Sequence, residues 1–490
     1  MDEPGSVAGV DLDAFRMLLT PAGRGALDEA VKILADGADP VAAASALRRS
    51  HPADLTAAAL TQASLRRRAE AKFGPDAAVM FFTPHGLEQA TRPEVAAHRA
   101  ARIRAAGIWP AAKTRIPGDG SDGDRAARDH EPGRRKPGAR NAEDRGSPDQ
   151  SAVDARTADQ GTANPGTANR GTANVVAAGP GDEAGISRSR PTGDGGPAVL
   201  DVCCGIGGDA IALARAGCSV HAVDLDPLTV EIARANAAAL GLSSLVEVRT
   251  GDAALADPAG HDLLFADPAR RGARGRTFDP MAYSPTWPVV LDLVSRAPAA
   301  CLKVAPGISY EFIPEGAEAE WVSYHGEVKE AAIWIGMGAG GRRATLLPSG
   351  ATLTASGAEA ETGPVSRYLY EPDGAAVRAH LVAEVAALVS GRLVDPRIAY
   401  ITSDRFVRTE WAPCYEVTDV MPFSLKRLRA ALRERRVGTV TIKKRGSAVD
   451  VERLRKDLRL SGDNSAVIVL TRIGERPFAL LCQPMTSTDG

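Results

Sequence analysis

The sequence predicts an α/β protein: a doubly wound, mainly parallel sheet, preceded by a helical domain and followed by an α+β module. Three observations predict it. From Ala198 onward strand-like and helix-like runs alternate, the pattern of a sheet wound by crossover helices. Gly205, Gly207 and Gly208 fall between the first of these strands and the first helix, where open α/β sheets bind ligands. The chain of 490 residues, at roughly 150 per domain, has room for two or three.

Residues 1–110 are rich in Ala, Leu and Arg, with helical spacing in "ALDEAVKILADG" and "DLTAAALTQASLRRRAEAKFG"; each run closes at a glycine, Gly37 and Gly74, that can end a helix in a left-handed conformation. Arg66 to Arg68 read as a solvated helix face, with phosphate contact as the alternative. Residues 111–197 are dominated by Gly, Asp, Arg, Pro and Ser, and "GTANPGTANRGTANV" repeats every five residues. Such a segment cannot bury enough apolar area to offset its chain entropy, so a disordered tether is expected.

Residues 198–365 hold the alternating runs "AVLDV", "DAIALARAG", "SVHAVD", "DPLTVEIARANAAALG", "LVEVRT" and "DLLFA", with further strands at "CLKVA", "AEWVSYH", "AAIWIG" and "RATLLPSG". The second helix is signalled by Asp226 at its N-cap, Pro227 in its first turn and Gly241 past its end. Residues 366–490 mix short strands with one basic helix and read as a separate α+β module. Six cysteines without a C-x-x-C pair and an acidic start, MDEPGSVAG, point to free thiols and the cytoplasm. No apolar run reaches the 18 or so residues of a membrane span, so no membrane partner is expected.

"VLDVCCGIGGDA" satisfies G-x-G-x-x-A, so the glycines alone leave a dinucleotide open. Charge separates the readings. A pyrophosphate favours bare backbone N–H groups, and carboxylates around it are costly. Here Asp201, Asp224, Asp252 and Asp267 follow the first four strands in turn. An acidic rim suits a cationic ligand, and S-adenosylmethionine carries a sulfonium and an ammonium. In that reading Asp201 meets the amino-acid end, the turn around Cys203, Gly205 and Gly207 lets the ligand approach the backbone, Asp224 takes the ribose hydroxyls and Asp252 faces the adenine amino group. Cys203 and Cys204 are most simply small packing residues in the turn, and no metal-ligand cluster is visible.

Residues 198–271 resemble the core of class I S-adenosylmethionine-dependent methyltransferases, and "DVCCGIGGDAIALARAG…HAVDLDPLTVEIARANA" is similar in pattern to RNA cap trimethylguanosine synthases. "FFTPHGLEQATRPEVAAHRAARI" resembles the segment preceding the core in those enzymes. Over most of the chain outside 111–197 the sequence resembles bacterial methyltransferases with a C-terminal THUMP-like domain, through "YLYEPDGAAVRAHLV" and "VGTVTIKKRGSAVDVERLRKDLRL…AVIVLTRIGERPFALLCQP". The resemblance implies a Rossmann-like methyltransferase sheet, S-adenosylmethionine as cofactor and a C-terminal THUMP-like domain over 366–490.

The stretch "DLLFADPARRG" ends the fourth strand at Asp267-Pro268. Methyltransferases of exocyclic base amines usually carry [Asp/Asn/Ser]-Pro-Pro-[aromatic] there; Ala269 replaces the second proline and Arg270 the ring. Asp267, Pro268 and Arg270 are the catalytic candidates. Arg270 could stack on a base while Arg271 pairs a phosphate, could join Arg274 and Arg276 in an anion site, or could pair with a nearby carboxylate.

Residues 401–482 hold 17 Lys plus Arg against 10 Asp plus Glu. Lys426, Arg427, Lys443, Lys444 and Arg445 are the leading members of a stripe that could track phosphates, with a solvated basic face as the alternative. The function expected is methyl transfer to a base nitrogen of structured RNA, tRNA or rRNA. The rivals are a non-catalytic S-adenosylmethionine- or RNA-binding protein, a methyltransferase of small molecules or proteins, and a dinucleotide-dependent enzyme.

Overall fold

A computed structural model describes residues 11–107, 196–269, 271–272, 275–276, 279–338 and 340–485. The tether expected over 111–197 falls outside the described residues, except for Gly196 and Pro197.

Six helices open the chain: α1 (Leu12–Leu19), α2 (Pro21–Ala35), α3 (Pro40–Leu47), α4 (Ala53–Phe73), α5 (Pro84–Gln89) and α6 (Pro93–Ala105). Their starts are written locally. Thr20-Pro21, Asp39-Pro40 and Thr83-Pro84 each set a side-chain oxygen under the first free N–H groups and a proline in the first turn. α4 is the central pillar, burying Leu55, Ala59, Leu65, Ala69 and Phe73 along its length. Arg66 donates to the carbonyls of Met80 (2.9 Å) and Val79 (3.1 Å), so that member of the arginine triplet is spent on the fold.

Next come β1 (Ala198–Val202), α7 (Gly208–Arg215), β2 (Ser219–Asp224), α8 (Pro227–Ala239), β3 (Val246–Thr250) and β4 (Leu263–Ala266). A two-residue hairpin, β5 (Arg271–Gly272) with β6 (Gly275–Arg276), leads to α9 (Trp287–Ser295) and β7 (Ala300–Val304). The sheet is completed by β8 (Glu318–Tyr324), β9 (Glu327–Ile335), β10 (Gly341–Leu347) and β11 (Ala351–Thr354). Strand order is β11-β10-β8-β9-β7-β4-β1-β2-β3, with β1, β2, β3, β4 and β7 parallel and β9 antiparallel to β7. Order reverses between β1 and β4, and this switch point opens a crevice at their carboxyl ends. Buried on both faces, β1, β4 and β7 read as unbroken buried runs, as central parallel strands do.

A second sheet, β13-β14-β12-β15-β18-β17-β16, is built from β12 (Tyr368–Tyr370), β13 (Arg392–Asp395), β14 (Ile398–Ser403), β15 (Cys414–Pro422), β16 (Val437–Lys444), β17 (Asn464–Ile473) and β18 (Arg476–Pro484). Its helices are α10 (Gly374–Arg378), α11 (Val382–Leu388), α12 (Leu425–Glu434) and α13 (Val451–Leu458). Where one basic helix was expected there are two, because Asp450 caps "VERLRKDL" as its own helix. The expected boundary at 365/366 does not divide the core: one apolar cluster runs from Leu264, Leu302 and Trp321 to Tyr370, Leu381 and Ile401.

Candidate active site

After β1 the chain turns through Cys203 (φ 65°), Gly205 (φ 57°) and Gly207 (φ 85°) before α7 begins. A left-handed Cys costs strain; it is pinned because the N–H groups of Cys203 and Cys204 both donate to the Val223 carbonyl at the end of β2, at 2.9 and 3.1 Å. Asp224 ends that strand: Oδ2 accepts from the Gly205 N–H (2.8 Å) and Oδ1 from the Asp226 N–H (3.1 Å). Asp226 in turn caps α8 through the Thr229 N–H at 3.1 Å.

Between turn and switch point lies a cavity of about 530 Å³. Cys203, Gly205, Asp209, Asp224, Asp267 and Lys303 line one side of it. Thr83, His85, Gly86, Gln89 and Thr91 line the other, so the segment carrying α5 forms a roof. Two buried amides hold that roof. Gln62 exchanges hydrogen bonds with the Phe82 backbone (2.7 and 3.0 Å), and Asn236 does so with Phe81 (2.7 and 3.1 Å) while donating to the Ile206 carbonyl of the turn at 2.9 Å. Roof and turn touch closely, since a Cβ on Gly86 would sit 2.5 Å from the Ile206 side chain.

The electrostatics are unusual. Asp201 is fully buried, and neither carboxylate oxygen has a hydrogen-bond partner among the described residues. Burial first, then Asp209, Asp267 and Asp224, push its pKa well above the ordinary carboxylate range. Lys303, also buried, contacts Asp267 Oδ2 directly and lies 3.8 Å from Asp209 Oδ2. Burial alone would lower the Lys303 pKa, but the two carboxylates win and raise it. Asp209 is further held by Thr91 (3.0 Å) and by Arg99 from α6, which also pairs with Glu330 of β9. The result is an alternating row of charges, Asp267, Lys303, Asp209, Arg99, Glu330, of which Lys303, Arg99 and Glu330 are buried. Burial also raises the Cys203 and Cys204 thiols, followed in effect by nearby carboxylates, so neither is a thiolate nucleophile.

Of the residues singled out in the sequence, Cys203, Gly205, Asp224, Asp267 and Pro268 line the cavity. Asp201 lies in the adjoining strand, and Gly207 sits at the start of α7, where a Cβ would come within 3.3 Å of Ala233. Asp252 is not among the lining residues; it caps the turn after β3 through the Ala254 N–H at 2.9 Å. Arg270 and Arg274 lie outside the described residues, as do the side chains of Arg271 and Arg276. Lys303, Asp209, Arg99 and Glu330 were not foreseen. A lysine inside the otherwise apolar run "ACLKV" was the available signal, because Lys is almost never buried unpaired.

In the second sheet the proposed stripe divides. Lys426 and Arg427 are exposed on α12 and make no ion pair or hydrogen bond among the described residues. Lys443 pairs with Glu371 (2.9 Å), Lys444 donates to the Val449 carbonyl (3.2 Å), and Arg445 donates to the Ala399 carbonyl (2.7 Å) over the Tyr400 ring. Lys443 and Arg445 therefore serve the fold first. A strand alternates faces, so neighbouring basic residues in sequence do not share one.

Could the cavity hold a cationic nucleoside? An orphaned buried carboxyl at Asp201, carboxylates at Asp224 and Asp267 and a cavity of this size all fit one.

Comparison with known proteins agrees with this chemistry. Residues 199–266 match the family described as "Methyltransferase domain", residues 412–484 "THUMP domain-like", and residues 11–69 a "Domain of unknown function". Two curated Mycobacterium tuberculosis proteins, from strains H37Rv and CDC 1551, each named an uncharacterized S-adenosylmethionine-dependent methyltransferase, are 34% identical over 314 residues, which is 61% of this chain and 86% of the relative. A crystal structure from Porphyromonas gingivalis W83 superposes with a TM-score of 0.63 at 17% identity, covering 97% of this chain and 98% of that one, and shows the same fold. Among the described residues no helix is long and apolar enough to cross a membrane.

Proposed function

Since this chain belongs to the family of S-adenosylmethionine-dependent methyltransferases, we propose that it methylates structured RNA, tRNA or rRNA, in the cytoplasm. The observation that carries the RNA reading is the THUMP domain-like match over 412–484, a module type associated with RNA-modification enzymes. The exposed cations of α12 on that module support it, as electrostatic contacts to phosphate.

When bound, the donor supplies an activated methyl group on a sulfonium. The chain's own residues would hold it in stated ways. Asp201 would take the ammonium and find the partner it lacks, the Cys203–Gly207 turn would lie against the amino-acid part, and Asp224 would meet the ribose. The roof from Thr83 to Thr91 would exclude water, and Asp267 would orient the acceptor; positioning and desolvation supply much of the rate. RNA offers base nitrogens, base carbons and ribose hydroxyls as acceptors, and the Asp267-Pro268 sequence points to a base nitrogen.

The test is incubation of the purified protein with methyl-labelled S-adenosylmethionine and total RNA from cells lacking the gene. We expect label in RNA that Asp267→Ala abolishes. Donor binding without label in any RNA would sink the RNA reading, in favour of a protein or small-molecule acceptor or of a binding role without turnover.

A further inference from the structure

The Asp267 carboxylate is not free to act alone. One of its oxygens is engaged by Lys303, and both side chains face the cavity. Neutralising Asp209 does not explain this lysine, because Asp209 already has Arg99 and Thr91. Nor is a buried ion pair a reliable source of stability, since apolar replacements are often as stable. An ammonium kept at the wall of a reaction cavity calls for a chemical role.

Resting on the RNA reading above, we propose that the acceptor is a ribose 2′-hydroxyl rather than a base nitrogen, and that Lys303 stabilises the negative charge that its oxygen develops.

The charge that develops on the acceptor decides between the two classes. A neutral amine becomes cationic as its bond to the methyl carbon forms, and an adjacent ammonium opposes that. A hydroxyl must lose its proton and becomes anionic, which an adjacent ammonium favours. Asp267 and Lys303 together supply both needs: a carboxylate oxygen to receive the proton and a cation to balance the oxygen. In the step, a lone pair of the 2′-oxygen forms the O–C bond to the methyl group. The C–S bond breaks with its electron pair going to sulfur, leaving neutral S-adenosylhomocysteine, and the hydroxyl proton passes to Asp267 and then to water. Lys303 keeps its protons throughout.

A second observation points the same way. Among the described residues lining the cavity the one aromatic ring is His85, on the roof, and Ala269 stands where base-amine methyltransferases usually carry a second proline before their ring. In those enzymes the reacting base stacks on a ring beside the Asp-Pro pair; a ribose needs none there. Within an RNA strand the 2′-hydroxyl is the free hydroxyl that every internal nucleotide offers.

The full-length protein would be given methyl-labelled S-adenosylmethionine and total RNA from cells lacking the gene, and the RNA then hydrolysed in alkali. A 2′-O-methyl group blocks cleavage at its own phosphate, so its label emerges in dinucleotides; methylated bases emerge in mononucleotides. We expect dinucleotide label, a Lys303→Met rate lower by roughly 10²–10³-fold with donor affinity within about threefold, and partial recovery in Lys303→Arg. Label in mononucleotides overturns the hydroxyl acceptor while leaving RNA methylation standing. No label in RNA overturns both. Dinucleotide label with an undiminished Lys303→Met rate overturns the role given to Lys303. Should Lys303→Met fail to fold, the wild-type product and the Lys303→Arg rate decide the same questions.

Discussion

Asp201 and Cys203 carry the tension of the site at the scale of single residues. Asp201 is an acid whose folded pKa lies above its unfolded one, so the native state holds a proton that the unfolded chain releases. Its contribution is therefore least unfavourable at low pH and turns against folding as pH rises from the ordinary carboxylate range. In the absence of donor, Asp201→Asn should raise the melting temperature at pH 8 and gain little near pH 4, while weakening donor binding; an equal gain at both values would contradict the assignment. Cys203 occupies φ 65°, which a β-branched side chain tolerates poorly. Cys203→Val should cost about 1–3 kcal/mol in denaturant unfolding, and Cys203→Gly much less. The glycine turn and the Asp226 cap were legible because their reasons lie within a few residues. Lys303 was not, since its partners Asp209 and Asp267 are 94 and 36 positions away and periodicity carries no information about them.

α6 is the element that fastens the helical region to the sheet. Arg99 bridges Asp209 and Glu330, and Arg102 bridges Glu318 and Glu320 over the Trp334 ring. Arg99→Met leaves the buried Glu330 carboxylate without its guanidinium and takes one of several partners from Asp209, and should cost about 3–5 kcal/mol, read by chemical denaturation. Burial alone would raise the Glu320 pKa, but His98, Arg102 and Thr345 hold it down at about 2. A depressed carboxyl stabilises the fold above its unfolded pKa and loses that contribution as pH falls through the folded value. Between the ordinary glutamate range and pH about 2, wild type should therefore lose more stability than Glu320→Gln; parallel acid curves would remove the network from the account. On α12, Lys426→Glu with Arg427→Glu should weaken RNA binding and lower the salt slope by about 2, with donor affinity unchanged. The helices themselves were readable from caps and spacing. Their partners were not: the turn of the chain that brings Arg99 to Glu330 spans 231 positions, and the pairing of Lys443 depends on which face of β16 meets Glu371.

In the molecule as a whole, the helical region and the sheet make one site. Phe15, Phe81, Phe82 and Leu87 pack with Ile206, Ile211 and Ile232 in a single cluster, and each large apolar side chain buried there contributes roughly 1.5–3 kcal/mol. A fragment of residues 196–490 would expose those isoleucines and lose the roof, so it should aggregate or fail to bind donor in calorimetry; donor affinity equal to that of the full chain would deny the helical region its part in the site. The alternation after Ala198 was enough to read the sheet. That "FFTPHGLEQAT" joins the helical region to this site was an expectation from resemblance alone; that residues 83–91 close over the sheet was not legible, and rests on Gln62 and Asn236. The roof also sets a schedule for the ribosome. Thr91 is made 141 residues before Ile232, an interval of roughly 7–28 s at 5–20 residues per second. Throughout that interval the nascent helical region has its aromatic face without the isoleucines that cover it, exposed apolar surface of the kind that chaperones exist to shield.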